Sequence, residues 1–169
     1  MRGGLPPFQR FLDTNQDAVW RLLVSVVGPV EAEDCFQETF IAALRAYPRL
    51  RADSNLRAWV LTIAHRKALD AHRGRARRAL PVEEIGAVAD SEALEGRGPR
   101  SASDDRAIPD ETLWRAVREL PLRQRSAVVL RYVVDLPHRD IATAIGCSEE
   151  AARRSLHEGL AKLRKVVPA

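Results

Sequence analysis

Apolar residues recur at helical spacing through most of the chain. Phe8, Phe11, Leu12, Val19, Leu22, Leu23 and Val26 fall three, four or seven apart, which predicts a first helix that Gly28 and Pro29 end. A second helix is expected after it. Glu31, Glu33 and Asp34 stand in its opening turns, where the helix dipole favours negative charge, and Phe36, Phe40, Ala43, Leu44 and Tyr47 form an apolar stripe up to Pro48. A polar loop, Arg49 to Ser54, leads to a third helix from Asn55 to about Arg78 carrying Trp59, Ile63 and Leu69. Farther on, Leu113, Val117 and Leu120 predict a short helix stopped by Pro121, and Arg123 to Val134 reads as another that ends before Pro137. In the last segment Ile141, Ala142 and Ile145 mark a short helix and Gly146-Cys147-Ser148 a tight turn, with Ser148 able to N-cap the final helix. Ala152, Leu156, Leu160 and Leu163 line that longer helix. The expected fold is therefore all-α.

Between these groups the pattern lapses. The stretch from Pro81 to Pro109 holds three prolines, Gly86, Gly96, Gly98 and the polar run RGPRSASDD with little periodicity, so it reads as a flexible linker. Two small helical domains, 1–80 and 110–169, are expected on either side of linker 81–109, and a length of 169 residues suits that division. Charge follows the same boundaries. Residues 1–47 carry 4 basic against 6 acidic side chains, 48–80 carry 9 against 2, 81–111 carry 3 against 9, 112–136 carry 5 against 2, and 137–169 carry 6 against 4. Two basic blocks separated by an acidic one suit two nucleic-acid-facing modules joined by a connector, whereas a solvated face would explain any single block.

Other classes find little support. The longest uncharged apolar stretch, Leu22 to Val30, is broken by Gly28-Pro29 and is far short of the ~20 residues a membrane span needs. With no recognisable secretory leader, membrane insertion is not expected and the location defaults to the cytoplasm. Cys35 and Cys147 are too few for a disulfide framework or a metal cluster, and each reads better as a structural thiol. His65, Asp70 and His72 do not share one helical face, so no metal site is expected. Phosphate-loop and nucleophile-elbow motifs are absent from the sequence, so we expect no catalytic residues, cofactor or small-molecule substrate.

The helix-turn-helix is the most specific local signal. Its second helix would expose Arg153, Arg154, His157 and Lys162 away from the apolar stripe, and the start of such a helix reaches base edges in the major groove. A plain helical hairpin is the alternative. At these residues a family resemblance emerges. Val129-Leu130-Arg131-Tyr132-Val133, Asp140-Ile141-Ala142, Ile145-Gly146 and Ser148 resemble the C-terminal promoter-reading domain of bacterial sigma factors. Ala32 to Phe40 (AEDCFQETF) is similar to the family's core-polymerase-binding helix. Asn55 to Val60, Ile63-Ala64 and Asp70 to Arg73 look like its promoter-melting helix. Two motifs in this order, with no other domain-sized segment, resemble the extracytoplasmic-function (ECF) group.

The resemblance implies roles for particular residues. Asp34, Gln37, Glu38 and Ile41 share a helix face and would dock on the largest subunit of core RNA polymerase. Arg49, Arg51, Asp53, Ser54, Asn55, Arg57, Arg66, Lys67 and Arg73 would meet −10 DNA, with Asp53, Ser54 and Asn55 receiving a base drawn from the duplex and Trp59 belonging to the core. Arg153, Arg154 and His157 would read the −35 element, and Arg125, Arg131, Arg139 and Ser148 would support them, the arginines through phosphate. The sequence departs from the family at Arg66, where many relatives carry asparagine, and at Ser155 and Glu158, where relatives often carry arginine, so base preferences do not transfer. Expected partners are core RNA polymerase and promoter DNA, with an anti-sigma protein as a further candidate. By analogy the acidic linker would lie along the channel that the transcript later occupies. The rival reading is a helix-turn-helix repressor or activator that never binds polymerase, for which the Asp34 to Phe40 motif would have no use.

Overall fold

The computed structural model describes residues 4–78 and 111–166, and among them all regular structure is helical. Helix α1 spans Phe8–Val27, α2 Pro29–Ala46 and α3 Leu56–Arg78; a single 3₁₀ turn, Tyr47–Arg49, follows α2. Helices α4 (Glu111–Glu119), α5 (Leu122–Tyr132), α6 (His138–Ile145) and α7 (Glu149–Val166) make the second domain. The stretch expected to be the linker, 81–109, lies outside the described residues.

The helix boundaries have local causes. Gly28 and Gly146 take φ of 86° and 75°, which L side chains rarely adopt, and each ends the helix before it. Pro29 then opens α2, where its missing N–H costs nothing. Asn55 Oδ1 accepts the Ala58 N–H at 3.0 Å to cap α3, and Ser148 Oγ accepts the Ala151 N–H at 3.2 Å to cap α7.

Helices α1, α2 and α3 pack around Val19, Leu22, Leu23, Val26, Val60 and Leu61, all at most 1% exposed. One end is aromatic: Phe11 lies 5.0 Å from Tyr47 and 5.8 Å from Trp59, ring to ring, and Tyr47 donates its hydroxyl hydrogen to the Pro6 carbonyl at 2.7 Å. Trp59 is thus part of the packed cluster, as its spacing to Ile63 suggested. Leu44 corrects the expected stripe. It is 54% exposed because the buried line of α2 runs through Ala32, Cys35, Thr39 and Ala43, and Leu44 lies about 100° farther round the helix. In the second domain, Val129, Leu130, Ile141 and Ala152 form the centre, where α5, α6 and α7 meet. The two domains are also in contact: α6 packs on α3, and α5 and α4 on α1.

Candidate functional site

Three solvent-facing surfaces hold the residues that the sequence singles out. On α2, Asp34, Gln37, Glu38 and Ile41 are all exposed, opposite the buried line of that helix. Ile41 is 50% exposed, and with Leu44 it gives the acidic face an apolar edge. Glu38 also pairs with Lys67 of α3 at 2.9 Å, while Glu31 pairs with Arg75, so ion pairs bridge α2 and α3 at the surface. Cys35, behind this face, is 5% exposed; burial first, and then Glu38, Glu31 and Asp34, push its thiol above the ordinary range.

The second surface runs along α3 and the loop before it. The Ser54 N–H donates to the Arg51 carbonyl at 3.1 Å and closes the loop, while the Arg51 guanidinium meets the Asp53 carboxylate at 3.2 Å. Arg49, Arg51, Asp53, Asn55 and Arg57 are exposed here and Ser54 is half-buried. Arg66 is exposed, Lys67 half-buried against Glu38, and Arg73 exposed 3.9 Å from Asp70. At 1.5 Å per residue Arg73 stands about 24 Å along the helix from Arg57, so these residues form a strip and not a single pocket. Its N-terminal end is already engaged, because Asn55 Nδ2 donates to Asp140 Oδ2 at 3.0 Å and Arg57 to the Val134 carbonyl at 2.7 Å.

The third surface is the helix-turn-helix. Ala152, Ser155, Leu156, Gly159 and Leu163 of α7 face inward, and Arg153, Arg154 and His157 face solvent near its start. Arg153 is held to Glu149 at 2.5 Å and Arg154 to Glu150 at 3.2 Å, both one turn earlier on the same helix. These exposed pairs contribute little to stability.

The four supporting residues divide. Arg139 and Ser148 are exposed, Ser148 serving as the cap. Arg131 bonds the Leu136 carbonyl at 3.1 Å and pairs with Asp135 at 3.4 Å, pinning the turn after α5. Arg125 points inward. Its guanidinium donates to the Val26 carbonyl at 2.7 Å, to the Leu120 carbonyl at 3.1 Å and to that of Arg118, at helix ends whose carbonyls lack intrahelical partners. Sequence reasoning did not find this role, nor that of His65. His65 is 2% exposed and its Nε2 lies 3.0 Å from Ser126 Oγ on α5, across the seam between the domains. Its position four residues after Leu61 and three before Ala68 was the one signal for its burial.

The described residues contain no cluster of side chains able to hold a metal ion, and no helix among them is long and apolar enough to cross a membrane. Comparison with known proteins supplies the family. Residues 11–78 match the family described as Sigma-70 region 2, and residues 110–163 match Sigma-70, region 4. The chain is 32% identical to the ECF RNA polymerase sigma factor SigD of Mycobacterium tuberculosis over 94% of its own length and 76% of that protein's. It is 27% identical to the ECF RNA polymerase sigma factor SigX of Bacillus subtilis, over 94% and 82% of the two. Its fold resembles that of the sigma factor RpoE from Bartonella quintana, solved with the anti-sigma factor NepR, at a TM-score of 0.74 and 22% identity over 94% of this chain and 95% of the other. The chain belongs to the ECF sigma factors, which direct promoter-specific transcription by RNA polymerase.

Proposed function

We propose that the three surfaces divide the work of initiation. Residues 1–80 form the unit that binds core polymerase and opens DNA, 81–109 the linker, and 110–169 the unit that reads the upstream element. The exposed α2 face, Asp34, Gln37, Glu38 and Ile41, docks on the polymerase. The strip from Arg49 to Arg73 receives the −10 DNA, its arginines and Lys67 neutralising phosphate while Asp53, Ser54 and Asn55 meet base edges. Arg153, Arg154 and His157 enter the −35 major groove, with Arg139 and Ser148 beside the backbone. Arg125 and Arg131 reach phosphate only by exchanging the carbonyls they now bind.

The chain makes and breaks no bonds in this scheme; it supplies address and strand separation in the cytoplasm while the polymerase supplies catalysis. The observation that carries the reading is one chain exposing an acidic, apolar-edged face on α2 and a basic face at the start of a helix-turn-helix. A repressor has use only for the second. An anti-sigma protein is a reasonable further partner, since the structural relative from Bartonella quintana was solved with one.

Run-off transcription with purified core polymerase on a pool of genomic promoter fragments tests it. Transcripts whose start sites share two upstream elements at fixed spacing are expected. DNA binding without polymerase association would return the chain to the repressor class.

A further inference from the structure

A cleft of about 370 Å³ opens where the turn between α1 and α2 meets α3, α4 and α5. Its basic lining is His72 and Arg75 of α3, Arg118 of α4 and Arg125 of α5. Its apolar lining is Val27 at the end of α1 with Pro29 and Val30 at the start of α2. Gly28 lies between these, and a Cβ there would meet no atom within 4 Å, so the space beside it is open. Polymerase docking and promoter reading give no work to His72, Arg75 or Arg118.

The charges in the cleft do not balance. Arg75 pairs with Glu31, but among the described residues no carboxylate pairs with Arg118 or Arg125. Three guanidiniums thus share one carboxylate, an excess of two positive charges. Arg125 is also fixed in direction, because the carbonyls of Val26, Leu120 and Arg118 hold its guanidinium without cancelling its charge. Burial first, and then the Arg118 charge, push Arg125 below the ordinary arginine range, yet a guanidinium stays charged at any physiological pH. Like charges side by side in a partly desolvated cleft are unfavourable, and a bound anion relieves them.

We propose that this cleft binds a small phosphate monoester of the nucleoside monophosphate class, its phosphate on Arg118 and Arg125 and its base over Pro29 and Val30. A phosphate monoester carries about −1.5 to −2 charges near pH 7, which matches the excess, and offers three oxygens to forked guanidinium donors. The imidazole of His72 and the exposed Arg118 supply donors that can turn toward it. The apolar lining receives the body of the ligand. Val30 is 81% exposed beside the exposed Pro29, so a base laid over them covers apolar surface that now faces water. A cleft of about 370 Å³ lies at the small end of the range of roughly 300–1,000 Å³ for small-molecule sites, which suits one nucleotide and no larger partner. Because the ligand touches only the folded arrangement of these helices, its binding stabilises the folded chain in proportion to its concentration.

Calorimetric titration of the full chain with AMP and with inorganic phosphate, alongside thermal unfolding in each, tests the site. DNA is absent from these titrations, so their outcome stands apart from the promoter assignment. AMP should bind at one site and raise the unfolding midpoint, and phosphate should bind about tenfold more weakly because it lacks the base. Arg118→Ala, which keeps the main-chain carbonyl that Arg125 uses, should weaken AMP about tenfold with unchanged circular dichroism. Arg118→Lys should restore only part of the loss, since an ammonium lacks the fork. Val30→Ser should weaken AMP and leave phosphate as it was, and Arg66→Ala, in the strip on α3, should change neither. No heat and no stabilisation from AMP at millimolar concentration would overturn the site. Equal weakening by Arg66→Ala and Arg118→Ala would move the binding to the α3 strip and overturn it as well. Phosphate and sulfate binding as tightly as AMP, with Val30→Ser without effect, would mean an adventitious ion only and remove the nucleotide.

Discussion

Gly159 is where a single missing carbon sets the geometry of the second domain. A Cβ there would stand 2.9 Å from Val128 Cγ2 and 3.4 Å from the Gln124 carbonyl oxygen, so α5 and α7 approach as closely as they do because position 159 has no side chain. Gly159→Val should destabilise the protein by about 1–3 kcal/mol through overpacking, read as a lowered midpoint in chemical denaturation. Little of this was legible in the sequence. A glycine inside a helical pattern signals a reason without naming it, because the neighbour at fault comes from a helix some thirty residues earlier. His65 was hidden for the same cause, as its partner Ser126 lies on a helix of the other domain. Local polar roles were easier. Ser148 was expected to cap α7 and does, since a cap depends only on residues within one turn.

Helices α2 and α7 each present one face inward and one outward, and that division sets what substitutions on them should do. Replacing Asp34, Gln37 and Glu38 together by alanine should weaken association with core polymerase while leaving circular dichroism unchanged, because exposed helix positions cost little stability. Pull-down with purified core would report it. On α7, Arg153→Ala should cost about 1–3 kcal/mol on the preferred upstream element and relax discrimination at one or two base pairs. Arg139→Ala, on exposed α6 surface, should weaken all sequences alike and reduce the salt slope by about 0.9. Affinity measured on matched and scrambled elements at several salt concentrations separates the two. Periodicity located both helices because their buried lines are narrow. It misjudged Leu44, where the line of α2 drifts toward Ala43 and Tyr47. Helix α3 was harder still: Ala58, Val60, Leu61, Ala64, His65 and Ala68 are buried over a wide arc, since α1 and α2 cover one side and α6 another.

At the scale of the whole molecule, the packing of the two domains keeps His65 buried, so loosening that packing should bring a proton change with it. In the folded chain the His65 imidazole should titrate near 4, and Ser126→Ala with Asp140→Ala, which removes two hydrogen bonds between the domains, should move it up toward 6.5, which histidine proton NMR can follow. An unmoved resonance would mean that the packing of the two domains holds without those two bonds. The sequence by itself determined the helices, the division into two helical units, the family resemblance and the exposed faces of α2 and α7. Each of these depends on spacing or on contacts within a turn or two, and the chain states that order directly. Only the tertiary structure decided that the two units meet, that Arg125 turns inward to carbonyls of α1 and α4, and that Asn55, Arg57 and His65 are held by the other domain. The partners across the seam lie 61 to 99 residues away along the chain, and no periodicity encodes which polar group meets which there; packing of already formed helices selects it.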